Sequence, residues 1–463
     1  MFLPQIKGPA FPTQGIWRPI TLEAFDDLVL RTVSVSTIAK PANHWTLNTT
    51  VWLEGIPSSH ISGKSDRLTL HLNGTVIAEK KDLAIHFNPQ GEAHINLLTE
   101  VPTTLNIKTW WPNGLGDQPL YELKATVVSG GGETVVKSQK IGFRTIELSQ
   151  EELKAAKAGH NIINAYYFKV NGVPFFSKGA NWIPAHVLYE AITDQYLYDL
   201  LLASKQANMN MIRVWGGGFY ETDRFYEIAD QLGLLIFQDM MFASSMYPAD
   251  DRFLASVTTE VRQQVRRLQH HPSVAIWAGN NENENNIAGP YWQEIKLHWD
   301  RYKQDYVKLT INVTMETILH EDNSRPFVSS CPSNGVADKR KGYIAHQDKR
   351  AGDMHWYIGG GDAFDWHHYP SAKFVSEYGF QSLSSMAVLE KYIDRNELKW
   401  PFTKAIDHRQ HKSSSIPLIN MIKEQFHMPK AGHSARELAD FIYLNQVFQA
   451  MAMVSFLRMF TVL

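Results

Sequence analysis

The chain has 463 residues, enough for two or three domains with separate hydrophobic cores. Its 45 basic and 47 acidic side chains give a formal net charge of −2, so the composition does not indicate a surface that binds nucleic acid or an anionic membrane. Aromatic residues make up 12% of the chain, and their flat apolar faces suit sugar rings as well as protein cores.

Cysteine content and the amino terminus say little about the compartment. Cys331 is the only cysteine, which excludes an intrachain disulfide. Asn-x-Thr triplets begin at Asn48, Asn73 and Asn312, and these permit secretion without proving it. The first residues have neither a basic n-region nor an apolar h-region, so no signal peptide is expected in this chain.

Residues from about 28 to 148 predict an all-β module. Apolar and polar residues alternate at 29–35 and 67–72, and Asn73-Gly74 then supplies a tight hairpin turn. Gly130-Gly131-Gly132 marks another turn. Short strands without a helical period indicate a β-sandwich.

From about residue 166 strand-like apolar runs alternate with amphipathic helices. A helix is predicted at 222–232, with Thr222 as its N-cap and Gly233 as the left-handed residue after its end. Strands are predicted at 175–179, 211–215, 234–237, 274–277, 325–330, 352–357 and 373–376. This alternation favours an eight-stranded βα barrel, whose catalytic residues lie at the carboxyl ends of its strands.

The eighth strand of such a barrel has no counterpart after Phe380, so we expect an open barrel with two exposed edges. The tail is interrupted by Asn445, Gln446, Gln449 and Arg458, too often for a membrane span. Residues 454–463 are expected to lose the amphipathic pattern.

Two glutamates follow predicted strands in the same manner. Glu282 ends the run Trp277-Ala278-Gly279-Asn280-Asn281-Glu282, and Glu377 lies in Phe374-Val375-Ser376-Glu377-Tyr378. Hydrolysis of a glycoside uses two carboxyl groups, about 5–5.5 Å apart in retaining enzymes and about 6.5–9.5 Å apart in inverting ones. Each glutamate alone is more simply a surface acid, but the shared context predicts such a pair. The neighbouring Tyr378 hydroxyl is expected to keep Glu377 ionised.

With these residues the chain resembles the β-mannosidases of glycoside hydrolase family 2, specifically the animal lysosomal type. The motif Trp-x-Gly-Asn-Asn-Glu at 277–282 is the most specific element and favours the mannosidase branch. Further similar segments are Gly15-Ile16-Trp17-Arg18, residues 111–121 with Gly142-Phe143-Arg144, residues 178–184 and residues 213–218.

The resemblance implies a multi-domain β plus α/β fold. It places a remnant of an N-terminal jelly-roll sugar-binding domain at 1–25 and an immunoglobulin-like β-sandwich at 26–148. A catalytic TIM (β/α)8 barrel that lacks its eighth strand would occupy 149–463.

The implied activity is that of a retaining exo-hydrolase, which releases terminal non-reducing β-D-mannose from oligosaccharides in glycoprotein degradation. On this analogy Glu282 is the general acid/base, Glu377 is the nucleophile and Asn281 binds the sugar 2-hydroxyl. Further substrate-lining residues are expected at Trp182, Arg213, Trp215 and His355. The expected partner is an oligosaccharide with terminal β-mannose, with no nucleic acid and no membrane, in the lysosome. No cofactor and no metal is expected, because adjacent loop histidines such as His367-His368 rarely bind one ion together.

Several alternatives stay open. Arg213 is as readily a barrel-mouth ion-pair partner for Asp239 or Glu377 as a substrate-lining residue. The alternative for the two tryptophans is a role as core lids, and His355 is as readily a structural histidine as a ligand. For the chain as a whole, one alternative is a catalytically inactive truncated product, since Ile6-Lys7-Gly8-Pro9 stands where the family has Asp-Trp-Gly-Pro. Another is a family 2 hydrolase of galactose, glucuronate or glucosamine, although the two asparagines before Glu282 argue against the first two sugars.

Overall fold

The structure is a computed structural model that describes residues 15–16, 19–62, 66–153, 163–290, 293–340, 342–357, 361–410 and 415–462. Trp17, Arg18 and residues 6–9, on which part of the resemblance rests, lie outside the described residues. Residues 19–25 form neither helix nor strand. By its contacts the chain divides into two compact units, one spanning Gly15–Gln347 and one holding the described residues from Asp348 onward.

The first unit begins with antiparallel strands. These are β1 (Leu28–Lys40), β2 (His44–Gly55), β3 (His60–Ser62), β4 (Arg67–Leu72), β5 (Thr75–Lys81), β6 (Ala84–His86), β7 (Glu92–Glu100), β8 (Tyr121–Val128) and β9 (Thr134–Ile141). They form sheets of order β1-β2-β7 and β5-β4-β8-β9 and a pair β3-β6. Inward residues of both larger sheets share one core, as the alternating sequence predicts.

The predicted hairpin turn at Asn73-Gly74 is confirmed. Leu72 pairs with Thr75, and Asn73 and Gly74 both have positive φ, at 47° and 79°. Two consecutive left-handed residues define the turn that matches the twist of an antiparallel hairpin, and Asn and Gly adopt this conformation most readily.

Short strands follow the two sheets: β10 (Ile146–Ser149), β11 (Glu152–Leu153), β12 (Ile163–Asn164), β13 (Tyr167–Val170) and β14 (Val173–Pro174). Side chains near this junction reach into the α/β part of the same unit. The buried Arg144 guanidinium donates to the carbonyl oxygens of Pro272 and Val274 at 3.0 and 2.6 Å. The Trp110 indole donates to the Asp230 carbonyl at 2.9 Å. The start of the strand Val274–Ala278 is therefore fixed from the all-β side.

A parallel sheet of order β15-β16-β17-β18-β19 forms the rest of the first unit. Its strands are β15 (Gly179–Trp182), β16 (Met211–Val214), β17 (Leu235–Asp239), β18 (Val274–Ala278) and β19 (Phe327–Val328). The helices are α1 (Asp194–Gln206), α2 (Asp223–Leu232), α3 (Asp251–Leu268), α4 (Asn283–Ala288), α5 (Gln293–Leu297), α6 (Trp299–Tyr306), α7 (Glu316–Glu321) and α8 (Val336–Arg340), with a π-helical turn at Val307–Met315 between α6 and α7. The unit is thus β followed by α/β, and the predicted multi-domain β plus α/β class is confirmed.

Helix α2 shows how closely local signals determine these elements. The Thr222 hydroxyl accepts from the Phe225 N–H, and Gly233 ends the helix with φ of 77°, both as predicted. The first strand, in contrast, lies at Gly179–Trp182 rather than at 175–179. Phe175 instead donates its N–H to the Phe168 carbonyl, and Phe176 is 59% exposed, so these apolar residues belong to the preceding hairpin.

The second unit contains β20 (Asp353–Trp356) and β21 (Phe374–Tyr378), which pair in parallel, and then α9 (Met386–Leu389), α10 (Lys404–Gln410), α11 (Ser415–Gln425) and α12 (Ala435–Val462). Short 3₁₀ turns occur across the chain at Pro41–Asn43, Thr103–Leu105, Tyr189–Ala191, Trp366–His368 and Arg395–Glu397. Within residues 379–410 and 415–462, no strand follows β21.

The expectation for the carboxy-terminal tail was wrong. Helix α12 keeps one buried stripe as far as Met459. Its members lie one or two helical turns apart and are Phe441, Phe448, Ala452, Phe456 and Met459. Of the polar residues that seemed to interrupt the pattern, Asn445, Gln446 and Gln449 have backbone partners.

Polar side chains of α12 bind the segment that follows β21. The buried Asn445 accepts from the Leu383 N–H at 2.7 Å, and Gln449 donates to the Phe380 carbonyl at 2.6 Å. These bonds satisfy backbone groups that no sheet partner reaches in this segment. In the parts of the chain that the structure describes, no helix combines the length and apolar character needed to cross a membrane.

Candidate functional site

Polar side chains gather at the carboxyl ends of β16, β17 and β18. The Arg213 guanidinium donates to both carboxylate oxygens of Asp239, at 3.3 and 2.6 Å, and to the side-chain oxygens of Asn181 and Asn281, each at 2.8 Å. Arg213 is 4% exposed and Asp239 is fully buried, so each charge is matched inside the protein. Of the two pairing partners considered for Arg213, Asp239 is confirmed. The guanidinium fixes Asn281 from behind.

Asn281 continues the line of β18 beyond its last ladder residue. It forms parallel bridges to Ala243 on one side and Cys331 on the other. Its amide nitrogen donates to the Ser244 hydroxyl at 3.3 Å. Glu282 follows with a left-handed backbone, φ 61°, and remains partly exposed at the start of α4. Its carboxylate accepts a hydrogen bond from Ser244 at 3.1 Å. Asn281, Arg213 and Glu282 are thus brought together at this strand end.

The two predicted tryptophans lie on neighbouring strand ends, both half-buried. The Trp182 indole donates to the buried Glu221 carboxylate at 2.8 Å, and its ring packs 5.0 Å from that of Phe225. Trp215 donates its backbone N–H to the Trp182 carbonyl at 3.1 Å. A Cβ at Gly217 would collide with the Trp215 ring, so glycine lets this ring lie against the backbone. The Trp182 ring therefore packs against the core, and its indole N–H is bound by the Glu221 carboxylate.

A buried polar network lies behind Glu282. The Glu284 carboxylate, 1% exposed, accepts from the hydroxyls of Tyr306 at 2.8 Å and Ser329 at 2.7 Å. Burial first, and then the nearby Asp338 carboxylate, raise the pKa of Glu284 to about 7. Asn280 donates to the Ser329 carbonyl at 3.0 Å and so belongs to the same network. The segment that carries Glu282 is therefore anchored from its buried side.

In the second unit, Glu377 lies on β21 and is 8% exposed. His355 is its register partner on β20, and the His355 Nδ1 lies 3.3 Å from a Glu377 carboxylate oxygen. The Tyr357 hydroxyl donates to the same oxygen at 2.9 Å. Both contacts hold the carboxylate in place, and the donated bond favours its ionised form.

The tyrosine that contacts Glu377 is Tyr357, so the expectation of Tyr378 was wrong. Successive side chains of a strand point to opposite faces of the sheet, which turns Tyr378 away from its neighbour. The Tyr378 ring instead stacks on Phe456 of α12, with centroids 4.2 Å apart and planes at 11°.

The histidine doublet is engaged locally. His367 Nδ1 lies 2.6 Å from an Asp365 carboxylate oxygen, and His368 Nδ1 lies 2.9 Å from the Asp362 carbonyl. Each imidazole thus binds a group of its own turn rather than converging with the other on a shared point.

Sequence reasoning missed Ser244, Glu284 and Tyr357. No local signal singles out Ser244 or Tyr357, since each acts through a partner on another segment. Glu284 had a usable signal, because it ends the polar run Asn280-Asn281-Glu282-Asn283-Glu284. Such a run is unusual directly after a buried strand, where polar groups need partners.

Comparison with known proteins finds similar sequences over most of the chain. Residues 29–144 match the family described as Glycosyl hydrolases family 2. A β-mannosidase of Rattus norvegicus is 36% identical over 449 residues, which cover 96% of this chain and 49% of that protein. A β-mannosidase of Capra hircus is 36% identical over 447 residues, covering 96% of this chain and 50% of its own length. The chain therefore spans about half the length of the curated relatives it matches.

Solved structures show the same likeness. The β-D-mannosidase of Dictyoglomus thermophilum superposes with a TM-score of 0.78 at 27% identity, covering 94% of this chain and 49% of that one. The exo-chitosanase of Amycolatopsis orientalis gives a TM-score of 0.65 at 17% identity over 93% of this chain and 46% of its own, which is a likeness of fold.

Proposed function

Since this chain is related to the β-mannosidases of glycosyl hydrolases family 2, we propose that it hydrolyses terminal non-reducing β-D-mannosides of oligosaccharides. The observation that carries the proposal is the Asn281–Glu282 pair at the end of β18, held by Arg213 and Asp239. This arrangement presents a partly exposed carboxyl beside a fixed amide.

In the proposed reaction Glu282 is the general acid/base. It protonates the departing glycosidic oxygen in the first step and activates a water molecule in the second. Asn281 accepts from Arg213 through its oxygen and donates one N–H to Ser244. An amide carries a second N–H. We assign that donor to the 2-hydroxyl of the sugar, a contact that strengthens in the transition state.

Glu377 is the proposed nucleophile. It attacks the anomeric carbon as the leaving group departs, and the resulting glycosyl ester is then hydrolysed with net retention of configuration. A nucleophilic carboxylate must be ionised, and the hydrogen bond that the Tyr357 hydroxyl donates favours the ionised state. His355 orients the same carboxylate oxygen. Trp182 and Trp215 supply apolar surface for the sugar ring.

The domain assignment extends the same proposal. We assign residues 26–148 to an immunoglobulin-like sandwich and residues 149–463 to a TIM-barrel catalytic domain. The proposed location is the lysosome, and the proposed chemistry requires neither a metal nor a cofactor.

Hydrolysis of 4-nitrophenyl β-D-mannopyranoside by the purified full chain tests this function. We expect cleavage of this substrate, with little or none of the β-galactoside, β-glucuronide and β-glucosaminide. Glu377→Gln should abolish turnover, because the covalent step is lost. Glu282→Ala should be partly rescued by azide, which needs no base to attack the glycosyl ester.

Glu316→Gln is the matched control, because this carboxylate is exposed on α7 and does not belong to the strand ends that carry the residues above. It should hydrolyse the mannoside like the wild type. Soluble, monodisperse wild-type protein that cleaves no β-mannoside would refute the proposed function. Preference for another β-sugar would leave the catalytic roles standing and overturn the assigned substrate.

A further inference from the structure

We propose that Ser244 is a positioning residue for Glu282, holding the carboxyl group in the rotation from which it delivers its proton. The proposal rests on the function proposed above, since it concerns the acid of that reaction. Ser244 lies just beyond β17 and is 1% exposed, so its hydroxyl acts inside the protein rather than in solvent.

The Ser244 hydroxyl stands between the two residues at the end of β18. It donates to the Glu282 carboxylate at 3.1 Å and accepts from the Asn281 amide at 3.3 Å. The Ser244 N–H donates to the Asn281 carbonyl at 2.9 Å. The hydroxyl and the amide N–H of one residue thus bind two consecutive residues of the neighbouring strand end.

These bonds complete a chain of side chains that starts in the core. Asp239 holds Arg213, Arg213 holds Asn281, Asn281 donates to Ser244, and Ser244 donates to Glu282. The first members are rigid because they are buried and doubly bonded. Ser244 is the last link, and it transmits that rigidity to a carboxyl group that is itself partly exposed.

The backbone supports the same role. Ser244 has φ of 44° and Glu282 has φ of 61°, so two non-glycine residues adopt the left-handed conformation at adjacent strand ends. Such conformations persist where the surroundings determine them, and they concentrate at functional sites. Here the Glu282 N–H donates to the Cys331 carbonyl at 2.8 Å, which fixes the backbone independently of the Ser244 side chain. Removal of the hydroxyl therefore takes one hydrogen bond from the carboxyl group without releasing the chain.

The test compares phenyl and 2,4-dinitrophenyl β-mannoside. Both carry the same sugar, and they differ in whether the leaving group must be protonated as it departs. Phenolate departs slowly without an acid, whereas 2,4-dinitrophenolate departs without one. We expect Ser244→Gly to lower kcat/KM for the phenyl mannoside about tenfold. The loss is smaller than the rate acceleration of about 10²–10⁴-fold that a general acid contributes, because the acid itself is retained. For the dinitrophenyl mannoside we expect less than about a twofold change. Glycine tolerates the positive φ, so the variant removes the CH2OH side chain without adding backbone strain.

The ratio of the two kcat/KM values is measured on one sample and so does not depend on the fraction of folded enzyme. Ser244→Ala is the second variant and should shift the ratio in the same direction. Glu282→Ala sets the ratio for complete loss of the acid. Ser245→Ala is the control, because the adjacent side chain is buried and its known partner, Asn283, binds the retained backbone N–H.

Equal loss on both substrates, or no loss on either, would overturn the role of Ser244 while leaving the proposed function intact. A wild-type chain that cleaves neither mannoside would overturn the proposed function, and the role of Ser244 with it.

Discussion

Replacement of Glu284 by glutamine should change how the stability of this protein depends on pH. Glu284 is buried on α4 and accepts hydrogen bonds from Tyr306 and Ser329. Burial and the Asp338 carboxylate raise its pKa to about 7 from the ordinary 4.5. Between pH 4.5 and about pH 7 the folded state therefore holds a proton on Glu284 that the unfolded chain releases. Glutamine has nearly the shape of the protonated acid and does not titrate.

The sign follows from the direction of the shift. An acid whose folded pKa is raised stabilises the fold below its unfolded pKa of 4.5, and this contribution is lost as pH rises through 7. At about 1.4 kcal/mol per pKa unit, the wild type should lose roughly 2–3 kcal/mol of unfolding free energy from this group between pH 5 and pH 8. The Glu284→Gln protein should not lose that amount.

Urea unfolding of both proteins at pH 5 and pH 8, followed by tryptophan fluorescence, measures this effect. The quantity of interest is the difference between variant and wild type at each pH, because all other titrating groups cancel in it. That difference should move by roughly 2–3 kcal/mol in favour of Glu284→Gln at the higher pH. Glu316→Gln, which changes an exposed carboxylate, should show no such movement. Parallel stability curves for Glu284→Gln and wild type would refute the reasoning.

Three further substitutions test how the fold holds the candidate site. Asp239→Asn leaves the buried Arg213 charge unpaired and should cost about 3–5 kcal/mol in urea unfolding, with a double change of both residues to apolar ones recovering much of the loss. Thr222→Ala removes the N-cap of α2 and should cost about 1 kcal/mol by thermal unfolding, whereas Thr222→Ser should cost little. Phe456→Ala removes the ring stacked on Tyr378 and should cost about 3–5 kcal/mol, seen as a lowered Tm, while Phe456→Leu should cost less.

Local chemistry explains which parts of the fold could be predicted from the sequence. Asn73-Gly74 favours two left-handed residues, and Thr222 and Gly233 close the ends of a helix, so each of these elements carries its own signal. Glu282 was found for a similar reason, because a polar run directly after a buried apolar strand indicates the carboxyl edge of a parallel sheet. Phe175 and Phe176 misled the prediction because an apolar pair serves a hairpin as well as a barrel strand.

The remaining features depend on partners that are distant in the chain. Asn445 and Gln449 break the apolar pattern of α12. They bind backbone groups of the segment after β21, which has no sheet partner among the described residues, and this role follows only from the structure. Tyr357 and Ser244 reach their acids from other segments. A pattern read along one segment contains no information about such contacts, whereas a cap or a turn is complete within a few residues.

The position of Glu377 is determined on both faces of β21. Glu377 points to one face, where His355 and Tyr357 hold it, and Tyr378 points to the other, where its ring lies on Phe456. A shift of one residue in this strand would exchange the two faces and place the carboxylate against the apolar helix. The cost of burying that charge opposes the shift, as does the loss of the aromatic stack. Helix α12 therefore does more than cover a core, because its packing against Tyr378 selects the register that presents the proposed nucleophile.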